Sequence, residues 1–205
     1  MFYRLTWDMD RIDDSIKSNT NTIYAEKSNL GEIVYKDVKV GFFSNIIYKS
    51  FEKLSDTWPE VEFYYSSKAS DLENEYLINV NRWPIIHKKV MEKFNDNKIK
   101  GLQYLPIKLI DVVTGKVNNN YVVMYIMNFI EAYDMNLSKY TYNEKYNVYS
   151  FLPQDIVLDE KVCKDYDIFR CKKDFVGIYV SQKIKNIIDD NNWIGFEFYK
   201  QKTNV

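Results

Sequence analysis

A chain of 205 residues, 46% hydrophobic and 17% aromatic, is long enough to bury a sizeable core as one large domain, or as one domain with a smaller N-terminal lobe. Its 28 Lys and Arg offset 29 Asp and Glu to a formal net charge of -1, so no overall basic field argues for a nucleic-acid partner. The opening MFYRLTWDMDRIDD lacks an apolar signal segment, and the longest apolar run, Tyr121 to Ile130, is about half a membrane span, which together point to a soluble, cytoplasmic protein.

In chain order, Phe2 to Trp7 alternates well enough for a first strand, and Asp8 to Asn29 is polar and reads as loop. Asp8, Asp10, Asp13 and Asp14 resemble a calcium loop only superficially. The glycine of the sharp turn and the closing bidentate Glu are missing, so a solvated acidic loop is the expectation. Val38 to Phe43 fits a strand or a loop, Ile46 to Leu54 a short helix, and Val61 to Tyr65 a strand. Trp58-Pro59 and Trp83-Pro84 mark element boundaries, because the residue before proline is pushed out of the helical region. The polar stretch Ser66 to Glu75 predicts a seam between an N-terminal lobe of residues 1–70 and a core of residues 71–205.

Two later stretches share one pattern. Sliding Pro84 to Pro106 onto Ile178 to Lys200 with an offset of about 94 residues places Ile86 on Val180, Val90 on Ile184, Phe94 on Ile188 and Gly101 on Gly195. Each copy predicts an extended start, a helix of roughly nine residues, a polar turn and an alternating strand. Ser181 is placed to cap the second helix with its hydroxyl. Asn and Asp suit a left-handed helix exit, and the two glycines let the chain turn into its strand.

Between the copies, a strand is expected to continue through Ile107 to Val113 and to reverse at Thr114-Gly115 and Asn118 to Asn120. The almost unbroken apolar run from Tyr121 predicts a strand buried on both faces and central in its sheet. Alternating tyrosines at Tyr140, Tyr142, Tyr146 and Tyr149 predict a second hairpin over Ser138 to Tyr149. Asp155 to Leu158 and Asp167 to Cys171 are two further short strands. Strands in runs with few helices give an α+β class: a mostly antiparallel sheet with a few short helices, containing two similar strand-helix-strand units. A parallel pair within the repeated units stays open.

The search for chemistry finds little. His87 is the single histidine, at a helix start, without a local motif to make it a ligand or a base. The six glycines form no phosphate cradle, and Gly115-Lys116 lacks the upstream glycine of a P-loop. Asp189-Asp190 and Asp159-Glu160 fall in expected turns, where solvated charge is the default. Cys163 and Cys171, eight residues apart, match neither a zinc ribbon nor a redox pair and are expected to be reduced and structural. No catalytic residue, metal ligand or cofactor is expected.

The order of packing patterns carries more than any one of them. GLQYLPI (Gly101 to Ile107), NYVVMYIMNFIEAYDMNLSKYTYN (Asn120 to Asn143), IVLDEKV (Ile156 to Val162), DIFRC (Asp167 to Cys171) and the closing IYVSQKIKNIIDDNNWIGFEFY (Ile178 to Tyr199) follow one another, after an opening FYRLTWDMD. In that order the chain resembles immunity protein family eleven of bacterial polymorphic toxin systems, first catalogued as a domain of unknown function. The resemblance implies an α+β protein without catalytic residues that binds and neutralises a cognate protein toxin encoded nearby, by stoichiometric contact. The balanced charge and the short apolar run already argue against a nucleic-acid or membrane partner.

Partner choice would sit in Arg11 to Ser67, which departs most from the pattern. Trp7, Trp58 and exposed tyrosines are candidate interface anchors, with Asp8, Asp10, Asp13 and Asp14 facing a basic toxin surface. Two other classes remain: an enzyme with a dispersed site around His87, and a nucleic-acid-binding or scaffold protein suggested by Lys88, Lys89 and Lys93.

Overall fold

A computed structural model describes residues 1–8, 53–56, 58, 61–65, 74–79, 82–111 and 113–204. The expectations for Val38 to Phe43, for Ile46 to Leu54 other than its last two residues, for the acidic loop after Asp8 and for most of the seam at Ser66 to Glu75 lie outside them. Strands β1 (Phe2–Trp7), β2 (Glu62–Tyr65), β3 (Tyr76–Leu77) and β4 (Ile85–His87) precede helix α1 (Lys88–Asp96). Strands β5 (Leu102–Pro106), β6 (Lys108–Asp111), β7 (Val117–Asn118), β8 (Tyr121–Ile126) and β9 (Phe129–Ile130) come next, then β10 (Tyr140–Asn143) and β11 (Val148–Phe151). A tight turn at Pro153–Asp155 leads to β12 (Val157–Leu158), α2 (Glu160–Cys163), β13 (Ile168–Cys171), β14 (Asp174–Ser181), α3 (Gln182–Asp190), β15 (Phe196–Lys200) and β16 (Lys202–Thr203).

The class is α+β, mostly sheet. Two larger sheets run in the orders β15-β1-β14-β13-β9 and β3-β4-β8-β5, beside a three-stranded sheet β2-β6-β7 and two strand pairs. Most pairings are antiparallel; β2–β6, β9–β13 and β12–β16 are parallel. No parallel pair falls within 84–106 or 178–200, because a third strand separates the two strands of each stretch. That strand is β8 between β4 and β5, and β1 between β14 and β15.

Strand β8 explains how the layers hold together. All six of its residues are buried. Because successive side chains point to opposite faces, Tyr121, Val123 and Tyr125 enter one core with Trp83, Ile85, Leu105, Phe63 and Leu109. Val122, Met124 and Ile126 enter a second core, where α1 contributes Val90 and Phe94, α3 contributes Ile184, Ile187 and Ile188, and the five-stranded sheet contributes Leu5, Ile168, Ile178 and Val180. The opposite face of that sheet supplies Phe2, Phe169, Cys171 and Tyr179 to a third core with Ala132, Tyr133, Ile156 and Leu158.

Several local expectations are corrected. The strand expected through Ile107 to Val113 breaks at Ile107: β5 ends at Pro106, which has no N–H to donate, and β6 begins in a different sheet. The run from Tyr121 to Ile130 also divides, β8 and β9 lying in different sheets, with the Asn128 side-chain amide donating to the carbonyls of Lys100 (3.2 Å) and Ile168 (2.9 Å) at the crossing. Ser181 occupies the N-cap position of α3, but its hydroxyl donates to Asp167 Oδ1 (2.9 Å) instead of accepting from the helix. At α1 the capping acceptor is His87, whose Nδ1 receives the Lys89 N–H at 3.1 Å. The left-handed residue past α1 is Lys98 (φ 56), although Asn192 (φ 53) fills the corresponding place past α3. Gly195 has a firm steric reason to be glycine: at φ 94, a Cβ there would collide with the Tyr76 carbonyl.

Candidate partner-binding surface

Groups that could carry chemistry are spent on structure. His87 is half-buried and packs edge-on against Tyr121 at 5.0 Å. Burial first, and then the neighbouring Lys89 charge, hold its pKa below the usual histidine value, so the neutral imidazole that caps α1 is the favoured form. Cys163 and Cys171 are buried and unbridged. Burial, then Asp159, pushes the Cys163 thiol up to about 12, and burial also raises Cys171, the opposite of a reactive thiolate.

Asp159 caps α2 by accepting the Lys161 N–H at 3.0 Å, and Asp189 pairs with Lys185. Lys89 pairs with the buried Glu75. Among the described residues no group of three or more His, Cys, Asp or Glu side chains is placed to hold a metal, and no helix is long and apolar enough to cross a membrane.

The largest concentration of exposed apolar side chains among the described residues lies at and around the β10–β11 hairpin. Of eleven large hydrophobic side chains left exposed among the described residues, six fall between 137 and 152: Leu137, Tyr140, Tyr142, Tyr146, Val148 and Leu152. Such clustering marks a patch and not the scattered exposure that needs no explanation. The register Tyr140↔Phe151 and Tyr142↔Tyr149 puts four aromatic rings on one face of the hairpin. Tyr142 and Tyr149 lie 4.7 Å apart, Tyr140 and Tyr149 5.3 Å, and Tyr140 and Phe151 5.6 Å.

One end of this ladder is rooted in the body: Phe151 packs edge-on against Tyr133 at 4.9 Å, and the Lys173 ammonium sits 4.8 Å over Tyr149. At the other end Asn147 takes the left-handed turn position (φ 51) and accepts the Tyr142 hydroxyl at 2.7 Å. Tyr146 at the tip is 65% exposed. The result is a row of rings whose rotamers are fixed in advance, which lowers the entropy cost of burying them against a partner.

The expected anchors are placed elsewhere. Trp7 is half-buried, stacks on Tyr76 at 5.7 Å and donates its indole N–H to the Leu77 carbonyl (3.1 Å). Trp58 is half-buried, lies 5.8 Å from Trp83 and donates to the Pro106 carbonyl (2.8 Å). They pack against the second and first cores, whereas the hairpin is rooted in the third. The Asp8 backbone N–H donates to the Gly195 carbonyl, and Asp10, Asp13 and Asp14 lie outside the described residues.

A second feature escaped sequence reasoning. Beyond the hairpin, a cavity of about 530 Å³ is lined by Arg4, Thr6, Pro153, Gln154, Tyr199, Lys200, Gln201 and Lys202. Its wall combines residues from opposite ends of the chain, brought together by the β1–β15 pairing that sets Arg4 opposite Tyr199. No local pattern could announce it.

The model of a family described as "Immunity protein family (Imm11)" matches residues 10–203, and no curated protein matches the chain.

Proposed function

The chain belongs to the Imm11 immunity protein family, and from that premise we propose that it neutralises a cognate bacterial protein toxin by forming a stoichiometric complex with it in the producing cell. The observation that carries this reading is the preorganised aromatic face of β10–β11, which leaves tyrosine rings exposed on a fixed frame. Tyrosine is enriched among the residues that dominate interface energetics, since it brings a large apolar area and one polar atom at little entropic cost. We place the main contact on this hairpin and not on Trp7 or Trp58, whose indole donors are already satisfied internally. An interface on the order of 1,600 Å² centred there would cover the hairpin and its surroundings. Neutralisation then depends on shape and affinity, with no turnover.

Co-expression with the toxin encoded by the neighbouring gene tests the proposal. Growth should be restored, and the two chains should elute together at one-to-one stoichiometry. A variant with Tyr140, Tyr142 and Tyr146 all changed to Ala should fold, lose the complex and fail to protect. Protection by a variant that no longer forms the complex would refute neutralisation by binding.

A further inference from the structure

The cavity behind the hairpin has a chemical preference written in its wall. Among the described residues that line it are three cations, Arg4, Lys200 and Lys202, and no carboxylate. Among the described residues none of the three forms an ion pair, although five other Lys–carboxylate pairs occur. Uncompensated like charges around one concavity raise the local potential and favour an anion there.

The other walls are fixed in place. Gln201 is buried, and its amide donates to the Ile156 carbonyl (2.5 Å) and the Pro153 carbonyl (3.5 Å), while Lys202 Nζ donates to the Gln154 carbonyl (3.0 Å). Glu197, which accepts the Tyr199 hydroxyl at 2.6 Å, is not part of the lining.

Two features narrow the ligand. About 530 Å³ lies within the range of sites that enclose a molecule of many atoms and exceeds what a lone inorganic anion fills. The wall at Pro153 and Gln154 follows β11 in the chain after the exposed Leu152, so the cavity begins two residues past the end of the aromatic hairpin.

We infer that this cavity is an anion-binding site that receives a carboxylate-bearing segment of the protein partner, the ladder supplying apolar anchorage and Arg4, Lys200 and Lys202 the charge. The partner would then present Asp or Glu side chains beside an apolar depression. The identity of that partner rests on the toxin-binding reading above; the anion preference does not.

The probe is hexaglutamate, titrated at low salt into the isotope-labelled protein and followed by its amide spectrum. Amides of Arg4, Gln154, Tyr199 and Lys202 should shift saturably, and the variant carrying K200E and K202E should lose these shifts while its spectrum elsewhere stays native. If the double reversal disturbs folding, the neutral variants K200Q and K202Q carry the same comparison, each weakening the response severalfold. The double variant should also bind purified toxin at least tenfold more weakly than wild type. Shifts that are absent, or that persist in the variants, overturn the site. Saturation of the same amides by inorganic phosphate at equal or lower concentration overturns the assignment to a peptide segment. Hexaglutamate binding by a protein that fails to bind or neutralise the toxin overturns the toxin as the source of the carboxylates, and the preceding section with it.

Discussion

Strand β8 and the β10–β11 hairpin draw on the same residue type and use it in opposite ways. In β8, Tyr121 and Tyr125 are buried within a strand that feeds two cores. In the hairpin, Tyr140, Tyr142 and Tyr146 stay exposed on a two-stranded ribbon that touches the body mainly through Phe151 and Tyr149. The contrast separates a tyrosine buried for stability from one that, on the proposed function, is kept for recognition. Exposed area alone would not do so, but exposed area on a fixed aromatic ladder does.

The sharpest way to break the contrast is Tyr125→Ala. Removing a fully buried ring should cost about 3–5 kcal/mol, read as a lowered denaturant midpoint at unchanged m-value, and should weaken toxin binding only through the folded fraction. A cost under about 1 kcal/mol would mean that β8 is not the central strand its burial implies. Tyr146→Ala is the converse. It should leave stability within about 0.5 kcal/mol and weaken toxin binding by about 2 kcal/mol in titration calorimetry. Unchanged affinity would move the interface off the hairpin.

Hydroxyl deletions sharpen the comparison further. The Tyr121 hydroxyl donates to the Asn74 carbonyl at 3.0 Å, and Tyr121→Phe should lower stability by about 1 kcal/mol in chemical denaturation. Tyr140→Phe, in the exposed ring set, should change it by a few tenths at most.

The smallest expected effect is a pH dependence at the end of β8, where His87 lies opposite Tyr121. Its folded pKa is lowered below 6.5, so on acidification the unfolded chain takes the proton first. The stability that neutral His87 contributes is therefore complete above about pH 6.5, declines as pH falls through the lowered folded pKa, and then levels off. Thermal midpoints of wild type and His87→Asn, which keeps a capping side chain without the titration, should converge as pH falls across that window. Parallel curves would show that His87 does not titrate differently on folding.

How far the sequence announced this architecture depended on whether the cause was local. Apolar stripes at three- and four-residue spacing marked α1 and α3, and the unbroken run from Tyr121 marked a strand with two dry faces. Alternating tyrosines likewise marked the hairpin. Breaks were harder to see: β5 and β6 join different sheets across a single residue, Ile107, and β8 and β9 part at Asn128, because the decisive partners are distant strands. Ser181 looked like a cap from its neighbours in the chain, yet Asp167 claims its hydroxyl.

The candidate site divided in the same way. Exposed tyrosines could be named in kind but not by position, and Trp7 and Trp58 prove to be half-buried against two of the cores. The cation-lined cavity left no trace at all, since Arg4 and Lys200 are neighbours only through strand pairing.

That pairing also constrains how the molecule comes into being. Strand β1 is flanked on both sides by β14 and β15, and Tyr3 bonds the side chain of Gln182, 179 positions away. Residues 2–7 therefore leave the ribosome long before either of their neighbours has been synthesised, and the five-stranded sheet cannot close until both β14 and β15 have followed. A nascent chain that stops short of β14 carries β1 with both of its edges unpaired, two rows of backbone donors and acceptors waiting for strands not yet made.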